Sequence, residues 1–465
     1  MRPLTLEPTA TGAPQDVFFP KSNIVPLPLI VKAEGIYMWD EDGNEYIDVS
    51  SGPVVSNIGH GNIHVADAMA KQARSMDFAY CRVARHQTNI DLAARISDLA
   101  GPGFERVCFS SGGSEAMEIA IKFLRQYAIA TGRPEKKQVI TLMPSYHGGT
   151  IAMLALSGDE ALDPFLDGIA VQSARIPAPF QYRVPDNYTP ETYRLSCASA
   201  LEAKILELGP ENVLAFVAEP VGGLATGAQP LHEDYANLVR EICTKYGVYL
   251  VYDEILCGTG RTGKFLASHA WPEAPGDIVV LAKGLCSGYA PLAATLMPAK
   301  MVDYLAELTG FSYSHTYSAN PISCATGLAV LDEYERLELI DAARDRGTYL
   351  RALLNKLALK HPSIGDIRGK GLLMAVELVA DRETKTSFPA AFPPTEQIRV
   401  SGLKHGLIMY TRRTANGANG DWFIVAPPLT ISEAECDELA ERLDKALSDF
   451  EANGAQYMKG SLLNG

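Results

Sequence analysis

The sequence VYLVYDEI at residues 248–255 contains a short, mostly apolar run that is followed by two carboxylates, Asp253 and Glu254. A second run, IVVLAKG at residues 278–284, ends in a lysine. Runs of this kind are typical of buried parallel strands, which present polar residues at their carboxyl ends. We therefore expect Asp253 and Lys283 to lie at the same edge of a sheet. Either residue alone is more often a helix cap or a solvated loop residue, so a functional assignment needs support from elsewhere in the chain.

Strand-like and helix-like segments alternate between about residues 88 and 330, which predicts a layered α/β fold. The predicted strands are residues 106–109, 139–142, 213–218, 248–252, 278–282 and 293–297, and the predicted helices are 88–99, 114–130, 193–208 and 234–246. An Asp-Gly turn at residues 42–43 predicts a hairpin near the N-terminus. We predict a large domain at residues 65–330 and a smaller one built from residues 1–64 and 331–465, where residues 1 to about 25 form an arm.

The composition argues against several classes of protein. The formal net charge is -14 and no stripe of Lys and Arg offsets it, so we expect neither nucleic acid nor membrane partners. No apolar run reaches the length of a transmembrane helix, and the first residues lack the pattern of a signal peptide. The 8 cysteines are scattered without metal-ligand spacing. We expect a cytoplasmic protein without a metal site.

A glycine-rich turn precedes a predicted helix and indicates a phosphate site. The predicted strand 106–109 continues into SSGGSEA at residues 110–116, after which helical spacing begins. Gly112 and Gly113 allow a tight turn, and the amides at the start of the helix favour a dianion, with Ser114 as a further donor. The alternative is a plain turn in which Ser114 caps the helix. A phosphate, a carboxylate and a lysine together suit pyridoxal phosphate, whose ring nitrogen and aldehyde need the last two.

A second glycine pattern, GTGRTG at residues 258–263, matches the dinucleotide fingerprint GxGxxG. The fingerprint requires a strand, a turn and a long helix. The residues that follow, KFLASHAWP, are a poor start for such a helix. A dehydrogenase interpretation would depend on this pattern alone.

Motifs across most of the chain resemble the class III (ω-type) pyridoxal-phosphate aminotransferases. They are, in chain order, SGGSEA at 111–116, SYHG at 145–148, EP at 219–220, DEI at 253–255, GRTG at 260–263, KG at 283–284 and TYSANP at 316–321. The resemblance implies fold type I, an α/β fold with a mixed, mostly parallel sheet and helices on both faces of the large domain. It also implies a homodimer, or a dimer of dimers, with active sites at the subunit interface.

The same resemblance implies roles for individual residues around the cofactor. Lys283 would bind the cofactor aldehyde and later carry a proton, while Asp253 would pair with the ring nitrogen. The remaining predicted contacts are Tyr146 and Ile255 on the two ring faces, Gly113 and Ser114 at the phosphate with Thr316 from the neighbouring subunit, and Glu219 near the O3′ side or paired with a C-terminal arginine. His147 is expected only to shape the turn that carries Tyr146.

The substrate residues are less directly marked. Relatives that use 2-oxoglutarate tend to carry an arginine three positions before a Pro-Pro pair, where this chain has Ile424. Relatives that prefer pyruvate often carry a mobile arginine for the acceptor carboxylate, and we assign that role to Arg413, with Arg412 as the alternative. The resemblance also places Tyr80 and Val54 near the substrate; valine at position 54, where amine transaminases tend to carry an aromatic residue, argues against a strictly aryl-amine pocket.

The expected activity is therefore a ping-pong transfer of an amino group from an ω-amino acid or primary amine to a keto acid, with pyruvate as the expected acceptor. Other class III activities, namely decarboxylase, aminomutase and racemase, use the same residues and remain alternatives. A catalytically silent scaffold is a further alternative, but it would need neither Asp253 nor Lys283.

Overall fold

The structure of the chain is a computed structural model that describes residues 27–159, 163–223 and 225–458. The arm predicted at residues 1 to about 25 lies outside the described residues. Within the described ranges, no helix is both long and apolar enough to cross a membrane. The cytoplasmic location stays a prediction from the sequence.

A seven-stranded sheet forms the centre of the large domain. Its order is β4 (Arg106–Ser110), β12 (Ala293–Met297), β11 (Ile278–Leu281), β10 (Tyr249–Asp253), β7 (Val213–Ala218), β5 (Gln138–Met143) and β6 (Ala174–Pro177). β12 is antiparallel to both of its neighbours, and the other pairs are parallel. The sheet is thus mixed and mostly parallel, as fold type I requires.

Helices cover both faces of this sheet, which explains why its strands read as continuous apolar runs. The helices, numbered in chain order, are α1 (Ser51–Val54, one distorted turn), α2 (Ile63–Ser75), α3 (Gln87–Ala100), α4 (Gly113–Ala130), α5 (Ile151–Leu156), α6 (Asp163–Leu166), α7 (Pro190–Leu208), α8 (Glu233–Tyr246), α9 (Ala299–Leu308), α10 (Pro321–Arg336), α11 (Leu339–Lys360), α12 (Pro394–Lys404) and α13 (Glu433–Gly454). Alternate residues of β11 separate the two faces: Val279 packs in a core with α7 and α8, whereas Val280 packs in a second core with α4 and α9.

The two ends of the chain meet in the smaller sheets. One contains β1 (Ile30–Glu34), β2 (Tyr37–Asp40), β3 (Glu45–Asp48) and β15 (Leu407–Ile408); another contains β13 (Ile364–Lys370), β14 (Leu373–Leu378), β17 (Gly420–Val425) and β16 (Thr411–Thr414); β8 (Val221–Gly222) pairs with β9 (Gln229–Pro230). β2 and β3 form the hairpin that the Asp-Gly turn predicts, and β15 pairs with β3 in parallel. A shared apolar core joins residues 36–65 to residues 329–450. The exact domain bounds at residues 64 and 330 stay predictions.

Candidate active site

A cavity of about 530 Å³ opens where the parallel strands of the central sheet end. β10 ends at Asp253, Glu219 directly follows β7, and Lys283 lies two residues beyond β11. The cavity is lined by seven of the eight predicted cofactor residues: Gly113, Ser114, Tyr146, Glu219, Asp253, Ile255 and Lys283. The sheet topology thus brings together residues that are up to 170 positions apart in the sequence.

The start of α4 supplies an anion site on one wall of the cavity. The helix begins at Gly113, and its N-cap residue Gly112 offers no side chain to the first-turn amides. These amides have no acceptors within the helix, so they and the helix dipole favour a phosphate group. The Ser114 hydroxyl lies beside them and accepts a hydrogen bond from the Gly149 amide at 3.0 Å.

Asp253 is held by two hydrogen bonds at the floor of the cavity. One carboxylate oxygen lies 2.8 Å from His147 Nδ1, and the other accepts the Ile255 amide at 3.1 Å. Because an ionised carboxylate only accepts, His147 Nδ1 carries the proton of the shared bond. Burial disfavours the imidazolium, but the hydrogen bond to Asp253 and its charge outweigh burial and raise the pKa of His147.

His147 therefore does more than shape the turn that carries Tyr146. Its side chain is fully buried, and within the described part of the chain its Nε2 has no hydrogen-bond partner. Apart from the position of His147 next to Tyr146, no sequence pattern indicates this contact, because Asp253 lies 106 residues away.

Glu219 occupies the same cavity wall as Tyr146. Its carboxylate accepts the Gly223 amide at 2.9 Å and the Tyr146 amide at 3.2 Å, so it fixes the backbone that positions the Tyr146 ring. Burial raises the pKa of Glu219, against the opposing charge of His147.

Ile424 stands three positions before the Pro-Pro pair, where relatives that use 2-oxoglutarate tend to carry an arginine. Its side chain packs in an apolar cluster.

Lys283 has the properties of a reactive amine. Its backbone has a φ of +45°, which is uncommon for a residue other than glycine. Its Nζ donates to the Pro53 carbonyl oxygen at 2.9 Å. Enclosure in the cavity lowers the pKa of Lys283 to about 8, although the charges of Asp253 and Glu219 raise it. A substantial fraction of this amine is therefore neutral near pH 8.

Five of the predicted site residues do not line the cavity: Val54, Tyr80, Thr316, Arg412 and Arg413. Thr316 and its neighbour Tyr317 are exposed, and the Tyr80 hydroxyl lies 2.7 Å from Ser314 Oγ on the same surface. Val54 is 1% exposed and packs in an apolar core, so its side chain points away from the cavity. Its neighbours Pro53 and Val55 line the cavity instead.

The two candidate arginines lie on opposite faces of β16. Arg412 Nη2 lies 2.7 Å from Asp159 Oδ2, and its charge lowers the pKa of Tyr146 against the larger effect of burial. Arg413 donates to the carbonyl oxygens of Phe388 and Asn416 and lines a separate cavity. Arg412 thus faces the Tyr146 side, and Arg413 faces away from it.

The GxGxxG pattern at residues 258–263 does not open a helix. The segment consists of turns and is followed by the short 3₁₀ helix Ala267–Ala270. Arg261 in its centre is fully buried and donates to Asn57 Oδ1 and to the carbonyl oxygens of Leu372 and Pro427. The pattern therefore joins the large domain to residues from both chain ends and lacks the dinucleotide geometry.

The donor set of the cavity fits pyridoxal phosphate. Free amides at a helix start suit its phosphate, a buried carboxylate backed by an imidazole suits its ring nitrogen, and a lysine with a lowered pKa suits its aldehyde. On this fold, such a site defines a pyridoxal-phosphate enzyme of fold type I.

Comparison with known proteins places the chain within that class. The family model described as aminotransferase class-III matches residues 19–447. The chain is 34% identical to the putrescine–pyruvate aminotransferase of Pseudomonas aeruginosa, with 91% of each chain covered, and 34% identical to the diaminobutyrate–2-oxoglutarate transaminase of Halomonas elongata, with 90% of each covered. The omega transaminase of Pseudomonas jessenii, solved in complex with PMP, superposes with a TM-score of 0.87 at 31% identity, covering 94% of this chain and 96% of that one.

The chain belongs to the class III aminotransferases, and its cofactor is pyridoxal 5′-phosphate. It is a transaminase, as the motifs predict.

Proposed function

We propose that this transaminase moves an amino group from a primary amine or ω-amino acid to pyruvate, in two half-reactions at one site. The observation that carries the choice of acceptor is the small number of lysine and arginine side chains in and beside the cavity. Among the described residues that line the cavity, Lys283 is the only lysine or arginine, and Arg412 lies beside Tyr146. One arginine suits the single carboxylate of pyruvate, whereas 2-oxoglutarate brings two carboxylates that both need partners.

The names of the relatives support this proposal only in part. The Pseudomonas aeruginosa enzyme is named for putrescine and pyruvate, while the Halomonas elongata enzyme is named for 2-oxoglutarate at the same 34% identity. Overall identity therefore does not choose between the acceptors. Ile424 does favour pyruvate, because it puts an apolar side chain, 1% exposed, at the position of the arginine expected for 2-oxoglutarate.

In the proposed site, the amides of Gly113 and Ser114 would hold the phosphate, and Asp253 would accept the N–H of the ring. Tyr146 and Ile255 would cover the two faces of the ring and exclude water. When bound, pyridoxal phosphate supplies a ring that draws off the electron pair left when the substrate carbon loses its proton. The charge of Asp253 would keep the ring nitrogen protonated, which that chemistry needs.

The proposed proton carrier is Lys283. Its pKa of about 8 lets Nζ accept a proton from the substrate carbon and release it again at moderate pH. The Pro53 carbonyl oxygen, 2.9 Å from Nζ, orients the amine when it is not bonded to the cofactor. Glu219 holds the backbone of Tyr146 and lies at the cofactor's edge of the cavity.

We propose that the site is completed by a second copy of the chain in a homodimer. Thr316 lies on an exposed surface together with large apolar side chains, among them Phe78 at 43%, Tyr317 at 60% and Val83 at 82% exposure. The Tyr80–Ser314 hydrogen bond joins the two segments that form this surface. Apolar patches of this kind mark protein interfaces, so Thr316 would reach the phosphate bound by the partner subunit.

The acceptor carboxylate is assigned to Arg412. It faces Tyr146, whereas Arg413 contacts the Phe388 and Asn416 carbonyl oxygens on the other face of β16. This reverses the order of preference that the sequence suggested.

The direct test follows the absorbance of the protein loaded with pyridoxal phosphate. We expect a primary amine to bleach the yellow band, pyruvate to restore it, and 2-oxoglutarate to restore it at least about tenfold more slowly at equal concentration. The Lys283→Ala variant is the matched control and should show neither change. Equal restoration by both keto acids would refute the choice of acceptor, and bleaching that no keto acid reverses would refute the second half-reaction.

The shared site is tested by mixing two inactive variants, Lys283→Ala and Thr316→Asp. A mixed dimer then contains one intact site, so a refolded equal mixture should recover about a quarter of the wild-type activity. Recovery would fail if Thr316 acted in its own subunit or if the chain were monomeric.

A further inference from the structure

An ion pair ties Arg412 to Asp159 beside the cavity. The Nη2 and Oδ2 atoms are 2.7 Å apart, and the two side chains are only 20% and 10% exposed. On the same face of the sheet, Arg412 interacts with the Tyr410 hydroxyl, and Tyr410 packs in one cluster with Tyr146. The charge that would meet an acceptor is therefore already neutralised by an acidic residue of the chain itself.

The backbone that carries Asp159 is fixed to the strand end that carries Tyr146. The Ser145 amide donates to the Gly158 carbonyl oxygen at 3.1 Å, and the Gly158 amide donates to Ser145 Oγ at 3.0 Å. Gly158 also packs so closely on Leu142 that a Cβ at residue 158 would lie 2.9 Å from the Cα of Met143. Asp159 is thus placed beside the cofactor wall by the fold, and its pairing with Arg412 needs no long flexible loop.

We propose that Asp159 sets the affinity of the site for acceptor carboxylates by competing with them for Arg412. This inference rests on the proposed role of Arg412. While an amine donor without a carboxylate is bound, Asp159 keeps the guanidinium paired, so that no unpaired cation faces the donor. A keto acid binds by exchanging its carboxylate for that of Asp159, so part of its binding energy is offset by the pair it breaks.

Removing the charge of Asp159 should therefore tighten the binding of carboxylates. Asparagine has nearly the same shape and keeps an acceptor oxygen, but hydrogen bonds between ionised groups are roughly twice as strong as neutral ones. We expect Asp159→Asn to lower the apparent Kd of pyruvate about tenfold in the second half-reaction and to leave the limiting rate unchanged. Arg412→Gln should raise the same constant at least about tenfold.

The experiment compares Asp159→Asn, Arg412→Gln and the double variant in single-turnover reactions with pyruvate and with an uncharged aldehyde acceptor. Binding of propionate, followed by the rise in melting temperature, provides a readout that needs no turnover. Asp163→Asn is the matched control, because Asp163 pairs with Arg175 rather than with Arg412. Asp159→Ser serves as a second neutral variant if the asparagine protein does not fold.

The expected result is tighter pyruvate and propionate binding in Asp159→Asn, no change with the aldehyde, and a double variant that behaves like Arg412→Gln alone. Weaker or unchanged pyruvate binding in both neutral Asp159 variants, with Arg412→Gln still impaired, would overturn the competition but leave the role of Arg412 intact. A double variant that differs from Arg412→Gln would show that Asp159 acts by another route. Unchanged pyruvate binding in Arg412→Gln would refute the proposed function of that arginine and the inference with it.

Discussion

Substitution of Gly113 by alanine tests the packing of the phosphate site against the ring site. A Cβ at this position would lie 2.8 Å from Ile255 Cδ1 and 3.1 Å from its Cγ2. Carbon atoms in contact are about 3.5–4.0 Å apart, so either the start of α4 or the Ile255 side chain must move by about 0.7 Å or more. Both line the cavity, and either movement disturbs the proposed cofactor contacts.

The size of the effect follows from two opposing terms. Overpacking a well-packed site costs about 1–3 kcal/mol, while replacing glycine by alanine in a helix gains up to about 1 kcal/mol. We expect Gly113→Ala to reduce the free energy of unfolding by about 1–2 kcal/mol. If the same strain appears on cofactor binding, the Kd for pyridoxal phosphate rises about tenfold for each 1.4 kcal/mol.

The assay is a double-mutant cycle with Ile255→Ala, measured by denaturant unfolding and by titration with pyridoxal phosphate. Ile255→Ala removes the atoms that the new methyl group would meet and leaves a space that it partly fills. The double variant should therefore lose less stability than the sum of the single variants, by at least about 0.5 kcal/mol. Strictly additive losses would refute the steric argument, because they would show that the methyl group at residue 113 and Ile255 do not meet.

Three other outcomes are expected. Lys283→Ala should abolish turnover with every donor, checked by product analysis, and any retained turnover contradicts its role. The rate at which the apo-protein incorporates pyridoxal phosphate, measured by stopped flow, should rise with pH through a midpoint of about 8, where Lys283 becomes neutral. Asp253→Asn should move this midpoint to lower pH, because the charge of Asp253 raises the pKa of Lys283. Arg261→Met should lower the free energy of unfolding by about 3 kcal/mol in a denaturant titration, because the Leu372 and Pro427 carbonyl oxygens lose a buried donor. A loss below about 1 kcal/mol would contradict this role of Arg261.

The central strands were readable from the sequence because burial on both faces makes them uniformly apolar. The predicted bounds at residues 213–218 and 293–297 match β7 and β12. The edge strand β6 was not predicted, because it has four residues and includes Arg175. The side chain of Arg175 pairs with Asp163, and such a pairing leaves no periodic apolar pattern in the sequence.

The seven predicted cofactor residues that line the cavity could be singled out for a different reason: each ends or follows a strand, or begins a helix, within a short motif. The contact between His147 and Asp253 could not be predicted, because it depends on how the loop after β5 meets the end of β10. Val54 shows the same limit from the other side. Its neighbours in the chain line the cavity, but its own side chain packs in the core, and its backbone has a φ of +63°.

The choice between Arg412 and Arg413 shows where sequence reasoning ends and why. Adjacent residues of a strand point to opposite faces, so at most one of the two arginines can face the side of the cavity, and the sequence does not say which. The register of β16 against β17 decides it: Arg412 lies opposite Trp422, which packs with Tyr146, and Arg413 lies opposite Asp421. A shift of this register by one residue would exchange the two arginines. Arg412 pairs with Asp159 at 2.7 Å, whereas Arg413 Nη1 lies 3.5 Å from Asp421 Oδ1. If Arg412 binds the acceptor as proposed, the acceptor preference of this transaminase depends on a strand pairing far from the motifs that identify its chemistry.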